Sequence, residues 1–103
     1  FLDVILRENQ VWVAETDGVV AGFMAINSSF IDHLYIDPDF QRRGIGQAFL
    51  EQGRRLSSDF LRLYTFQCNT KGRAFYEKNG FRAVKFGISP PPESEPDVEY
   101  CWP

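Results

Sequence analysis

Alternating apolar and polar positions in the first third of the chain predict an antiparallel β-meander. Three strands are predicted, at residues 11–15, 19–26 and 30–36. Asp17-Gly18 is typical of a type I′ hairpin turn between the first two strands, and Asn27-Ser28-Ser29 forms the second turn. Residues 1–10, whose leucine and isoleucine positions recur at helical spacing, are interpreted as the end of a helix.

From residue 45 the apolar positions recur every three or four residues, which predicts a helix at residues 46–58. A second helix is predicted at residues 70–79 from the residues that cap it. Asn69 or Thr70 caps the start of the second helix, and Gly80 follows its end as a left-handed capping residue. Further strands are predicted at residues 61–66, 81–86 and 98–102. The order β-β-β-α-β-α-β-β indicates an α/β (α+β) fold, a mixed β-sheet flanked by helices.

Composition limits the class of protein. The 103 residues suffice for one domain, residues 1–103, and include enough apolar residues (44%) for one core. No long apolar run or signal peptide is present, so we expect no membrane partner. A net charge of −3 argues against a nucleic-acid partner. Two cysteines and one histidine, without metal-ligand spacing, predict reduced thiols, a cytoplasmic location and no metal site.

A glycine-containing loop, Gln41-Arg42-Arg43-Gly44-Ile45-Gly46, follows the third strand and enters the first helix. Free amides at a helix N-terminus and the helix dipole together attract anions. Gly44 and Gly46 allow close approach of the backbone, and Arg42 and Arg43 add positive charge. The loop therefore favours a pyrophosphate group. It matches neither the Walker loop nor the dinucleotide GxGxxG motif, and by itself it would also be explained as a tight turn.

Two blocks of the sequence resemble the GNAT superfamily of N-acetyltransferases. The first contains the loop pattern Gln/Arg-x-x-Gly-x-Gly/Ala and is Leu34-Tyr35-Ile36-Asp37-Pro38-Asp39-Phe40-Gln41-Arg42-Arg43-Gly44-Ile45-Gly46. The second is Asn69 followed by Arg73-Ala74-Phe75-Tyr76-Glu77-Lys78-Asn79-Gly80-Phe81, similar to the family's Asn…Ala-x-x-Tyr-Glu-x-x-Gly-Phe. The resemblance covers residues 11–103. It implies a GNAT-like acyl-CoA N-acyltransferase fold that uses acetyl-CoA as cosubstrate.

The resemblance also implies how acetyl-CoA is bound. Its pantetheine arm lies between two splayed strands, residues 30–36 and 61–67. The main chain of Tyr35 and Ile36 binds this arm, and Asn69 contacts it through its side chain. Arg73 reaches a phosphate. The diphosphate is bound by the loop, that is, by Gln41, Arg42, Arg43, Gly44, Ile45 and Gly46.

Tyr76 matches the family's general acid, which also touches the cofactor. The departing thiolate needs a proton, and a phenol two helical turns after Asn69 points the same way. The alternative interpretation is that Tyr76 is not catalytic and is an aromatic residue packed beside Phe75 and Phe81.

The general base is not defined by the resemblance. Family members carry a catalytic Glu at positions that fall here near Phe30 or Tyr64, and neither is acidic. Asp32 and His33 are the nearest titratable side chains and are the candidate bases, with Glu99 as a third choice.

The sequence thus predicts an N-acetyltransferase that transfers an acetyl group to a primary amine by direct attack in a ternary complex. Small polyamines, aminoglycoside-like amines, amino acids and protein N-termini all remain open as acceptors. A non-catalytic acyl-CoA-binding module or sensor is the alternative, because the base positions are empty. The family's first strand and helices are also expected to be missing here, and a homodimer would cover the edge that their absence exposes.

Overall fold

The chain consists of antiparallel strand pairs and two α-helices. The computed structural model describes residues 4–8, 11–41, 43–57 and 59–103. Its elements are β1 (Val4–Glu8), β2 (Val11–Thr16), β3 (Val19–Asn27), β4 (Phe30–Ile36), a 3-10 helix (Pro38–Phe40), α1 (Ile45–Leu56), β5 (Leu61–Phe66), α2 (Thr70–Lys78), β6 (Arg82–Ile88) and β7 (Pro96–Trp102). The chain divides into two compact units, residues 1–59 and 60–103. The prediction of one domain over residues 1–103 stays a prediction.

In the first unit, β1, β2, β3 and β4 pair antiparallel in chain order. The two-residue turn between β2 and β3 has φ of 52° at Asp17 and 76° at Gly18, as a type I′ turn requires, so that prediction is confirmed. Helix α1 packs against β3 and β4. Its buried face is formed by Ile45, Phe49, Leu50 and Gly53.

The prediction of a helix within residues 1–10 is wrong, because strand β1 occupies Val4–Glu8. A ten-residue window is too short to separate a helical from an extended period. Pairing decides the outcome: every residue of β1 has a partner on β2, from Val4 opposite Glu15 to Glu8 opposite Val11. Residues 1–3, 9 and 10 lie outside the described residues.

In the second unit, β7 lies between β5 and β6 and pairs antiparallel with both. The buried residues of this sheet are Leu61, Leu63, Val98 and Tyr100. Asn69 caps α2 by accepting a hydrogen bond from the Gly72 amide at 3.1 Å, as predicted. Gly80 follows the helix with φ of 91°, which confirms its assignment as a left-handed capping residue.

From residue 11 onward the predicted elements are confirmed, with ends shifted by at most two residues. Neither α1 nor α2 has the length and apolar character that a membrane-spanning helix needs.

Gly22 offers a direct test of the packing between β3 and β4. A Cβ atom built on Gly22 overlaps the Tyr35 carbonyl oxygen and lies 2.9 Å from Ile36 Cδ1. We therefore expect Gly22→Ala to lower the free energy of unfolding by about 1–3 kcal/mol, because a well-packed backbone must shift. Urea denaturation measures this loss.

Gly87→Ala is the matched control, since its Cβ would meet only the Asp97 carboxylate, at 3.4 Å. An equal effect of the two substitutions on the free energy of unfolding would contradict the close approach at Gly22.

Candidate active site

The loop between β4 and α1 is held at its start by hydrogen bonds to fixed backbone. The Asp37 amide donates to the Ala21 carbonyl of β3 at 2.8 Å, and the Asp37 carboxylate accepts from the Asp39 amide at 2.9 Å. The Gln41 side-chain amide donates to the Ile36 carbonyl at 3.1 Å. These contacts fix the path of the chain from the end of β4 toward α1.

Gly44 is the N-cap residue of helix α1, and its φ of 81° lies in the left-handed region. No side chain in the described part of the loop caps this helix start. The first amides of a helix have no intrahelical acceptor, and they lie at the positive end of the helix dipole. A Cβ atom on Gly44 would have no atom within 4 Å, so the space beside this residue is open. The loop residues therefore fit an anion such as a diphosphate.

Positive charge and aromatic surface flank this helix start. The Arg43 guanidinium lies 5.1 Å from the centre of the Phe40 ring, a cation–π contact, and the side chain is exposed. Arg42 lies outside the described residues. Tyr35 on β4 is exposed, and its ring centre lies 5.7 Å from that of Phe23.

A β-bulge in β4 changes the direction of Asp32. Ala25 pairs with His33 and Ile26 with Ile31, so Asp32 is an extra residue without a partner on β3. Asp32 and His33 are consequently both exposed, and the alternation of buried and exposed positions is interrupted. Bulges commonly re-aim a side chain beside an active site.

An open pocket of about 340 Å³ lies at this bulge, and the described residues that line it are Ala25, Ile26, Asn27 and Asp32. His33 is not among the described lining residues. Of the two candidate bases, the structure therefore brings Asp32 into a pocket. Asn27 was assigned only to a turn by the sequence, although its position at the end of β3 already put it beside the start of β4.

On α2, two of the three predicted binding residues already have protein partners. The Asn69 side chain donates to Thr65 Oγ1 at 3.0 Å in addition to capping the helix. The Arg73 guanidinium donates from Nε to the Tyr100 hydroxyl at 3.1 Å and from NH1 to the Gln67 carbonyl at 3.3 Å. The phosphate contact of Arg73 stays a prediction.

Tyr76 lies in an aromatic cluster of the second unit. Its ring centre is 5.4 Å from Phe75, 5.9 Å from Phe81 and 6.0 Å from Tyr100. Burial raises the pKa of Tyr76 above its usual value of 10.0. The phenol therefore stays protonated in neutral and mildly alkaline solution, as a proton donor must.

Glu99, the third candidate base, is already bonded through both carboxylate oxygens. Oε2 lies 2.7 Å from Arg62 Nε, and Oε1 accepts from the Tyr64 hydroxyl at 3.4 Å. The charge of Glu99 raises the pKa of Arg62. This carboxylate is less available to an incoming amine than that of Asp32.

The hydroxyl of Tyr100 is a feature that sequence reasoning missed. Tyr100 is fully buried on β7 and donates to Glu77 Oε2 at 2.6 Å while accepting from Arg73. Arg73 and Glu77 are four residues apart on α2, so their common face was visible in the sequence. Their shared partner on a distant strand was not visible.

Comparison with known proteins gives the family. A sequence profile described as Acetyltransferase (GNAT) domain matches residues 7–83. The chain is 37% identical over 80 residues to YjaB of Salmonella typhimurium, a peptidyl-lysine N-acetyltransferase, a match that covers 77% of this chain and 54% of the relative. It is 32% identical over 80 residues to YafP of Escherichia coli, an uncharacterized N-acetyltransferase, covering 78% of this chain and 51% of the relative.

The fold is also that of solved acetyltransferases. The structure of a Bacillus anthracis protein described as a streptothricin acetyltransferase, in complex with acetyl coenzyme A, matches with a TM-score of 0.81 at 18% identity, covering 89% of this chain and 60% of that one. The chain therefore belongs to the GNAT acetyltransferase family and has its fold, which confirms the fold class predicted from the sequence. The chain spans about half the length of the curated relatives it matches.

Tyr100 provides a test of how α2 is held to the sheet of the second unit. Tyr100→Phe removes both hydrogen bonds of the hydroxyl and leaves Arg73 and Glu77 without their shared partner. We expect a loss of about 1–3 kcal/mol in the free energy of unfolding, measured in urea.

Tyr64→Phe is the control, because this tyrosine is exposed and its hydroxyl interacts with Arg62 and, at 3.4 Å, with Glu99 rather than with a buried partner. We expect it to change the stability by less than about 0.5 kcal/mol. Equal losses for the two variants would contradict a special role for the buried hydroxyl.

Proposed function

We propose that this chain is an acetyl-CoA-dependent N-acetyltransferase domain that transfers the acetyl group to a primary amine by direct attack. The observation that carries the proposal is the start of α1 at Gly44, where no side chain of the described residues caps the helix and the space beside Gly44 is open. Membership of the GNAT family supports it, as does a relative named as a peptidyl-lysine N-acetyltransferase. Acetyl-CoA is a cosubstrate in this proposal.

The donor is bound mainly by main-chain groups of the first unit. Residues 41–46 hold the diphosphate, with charge added by Arg42 and Arg43, and the main chain of Tyr35 and Ile36 binds the pantetheine arm. In the second unit, the side chains of Asn69 and Arg73 have more N–H groups than those bonded to protein. The remaining N–H of Asn69 contacts the pantetheine arm, and those of Arg73 contact a phosphate.

The reaction is an acyl transfer from sulfur to nitrogen. The amine nitrogen attacks the thioester carbonyl carbon, whose oxygen is polarised by the Ile36 amide. A C–N bond forms, the C–S bond breaks, and the proton lost by the amine passes to Asp32 or His33. Of these two, the pocket position favours Asp32. The leaving thiolate takes its proton from the Tyr76 phenol.

The first experiment is calorimetric titration of the 103-residue chain with acetyl-CoA, followed by a thiol-release assay across a panel of amines. Binding followed by turnover supports the proposal. Binding without turnover on any amine would favour the non-catalytic acyl-CoA module, and no binding would refute both. The cytoplasmic location and the homodimer stay predictions, and sedimentation of the chain tests the latter.

Gly44→Asp tests donor binding. The substitution adds a negative charge beside the helix start and a side chain where φ is 81°. We expect acetyl-CoA binding to fall below detection by calorimetry.

Gly18→Asp is the matched control, because Gly18 also has positive φ and open space but lies in the β2–β3 hairpin. If this variant loses binding equally, the loss arises from general backbone strain and the loop assignment is wrong.

Tyr76→Phe tests the proton donor. We expect kcat to fall by about 10²-fold while the Kd for acetyl-CoA stays within about twofold. Because burial raises the pKa of Tyr76 above 10.0, the midpoint of the alkaline fall of kcat due to its ionisation lies above that pH. Tyr64→Phe serves as the control, and a parallel loss of kcat and affinity in Tyr76→Phe would make Tyr76 a packing residue.

A further inference from the structure

Strand β6 forms an edge of the sheet in the second unit. It pairs with β7 on one side, and its other side has no strand partner among residues 60–103. Phe86 and Ile88 are 56% and 66% exposed, although they lie on the same face of the sheet as the buried Val98. An apolar edge strand with free backbone groups is a surface on which a further strand can pair.

Two charged side chains beside this edge lack partners within the chain. Lys85 on β6 lies opposite Glu99 of β7, but Glu99 is already paired with Arg62 at 2.7 Å. Asp97 lies opposite Gly87, and its Oδ1 is 3.4 Å from the position that a Gly87 Cβ would occupy. Among the described residues, neither the Lys85 ammonium nor the Asp97 carboxylate forms an ion pair. A cation and an anion therefore lie unpaired along one edge, on the same face of the sheet.

The register of an antiparallel pairing between two β6 strands follows from these charges. With the two-fold axis at Lys85, two lysines would lie opposite each other. With the axis at Phe86, Lys85 of each copy lies opposite the partner's Gly87, and the two Phe86 residues face each other. The Cα atom of the partner's Lys85 is then about 10 Å, or two strand spacings, from that of Asp97. Because Gly87 has no side chain, the lysine stem crosses it and brings its ammonium to the Asp97 carboxylate.

We propose that β6 is a self-association surface, which takes a second copy of this chain by antiparallel pairing centred on Phe86. The pairing forms two ion pairs between Lys85 and Asp97, one in each direction across the interface, and it covers Phe86 and Ile88. A lysine on an edge strand usually opposes such pairing, but here it meets a carboxylate. The homodimer predicted from the sequence covers a different edge, and the present inference does not rest on the proposed function.

The test is sedimentation of the 103-residue chain over a wide range of concentrations at low ionic strength, combined with ¹⁵N amide spectra. We expect reversible dimers and concentration-dependent amide shifts centred on residues 84–88. Lys85→Glu and Asp97→Lys should each weaken dimerisation by about tenfold, because two exposed ion pairs become two repulsive contacts. Lys78→Glu is the matched control, since it makes the same charge change on the exposed surface of α2 and should leave dimerisation unchanged.

Mixing the two interface variants gives a sharper test. A heterodimer of one Lys85→Glu copy and one Asp97→Lys copy has opposite charges at both contacts, so the mixture should dimerise about as tightly as the original chain. The amide spectrum of each variant alone shows that its fold is retained. Restored dimerisation in the mixture therefore reports the contact itself and not a damaged fold.

A chain that stays monomeric at every concentration overturns the inference, and Lys85 is then a charge that keeps the edge strand unpaired. Dimers that persist unchanged in Lys85→Glu, or that mixing of the folded variants does not restore, locate the contact on another surface and overturn it as well.

Discussion

The close contact between β3 and β4 determines the position of every candidate group in the first unit. Gly22 has no side chain, and the Tyr35 carbonyl and Ile36 fill the space that a Cβ would need. The Asp37 amide then bonds to the Ala21 carbonyl at 2.8 Å, so the loop leaves β4 from a fixed point. Everything that follows, from the 3-10 helix to the left-handed start of α1, takes its direction from this contact.

In the second unit the comparable constraint is the Tyr100 hydroxyl. It joins the central strand β7 to two side chains on adjacent turns of α2. Since Asn69 caps this helix and Tyr76 lies on it, one buried oxygen fixes the rotation of the helix that carries both. The bond to Tyr100, together with the bond to the Gln67 carbonyl, also restrains the Arg73 guanidinium.

The sequence was sufficient for features that depend on local chemistry. The Asp17-Gly18 turn, the Asn69 cap and the glycine after α2 each depend on residues within a few positions, and all three are confirmed. The sequence was not sufficient where contacts between residues far apart in the chain determine the structure. Residues 4–8 form a strand because β2 supplies their partners. The Asp32 bulge depends on the register between β3 and β4, and the Tyr100 contacts join residues more than twenty positions apart.

The start of α1 presents backbone amides rather than a cluster of titrating side chains. Peptide N–H groups neither gain nor lose protons in the physiological range, so the attraction of this helix terminus for a negative group is constant across neutral pH. A site built on such amides keeps its attraction for an anion whatever the protonation state of the side chains around it.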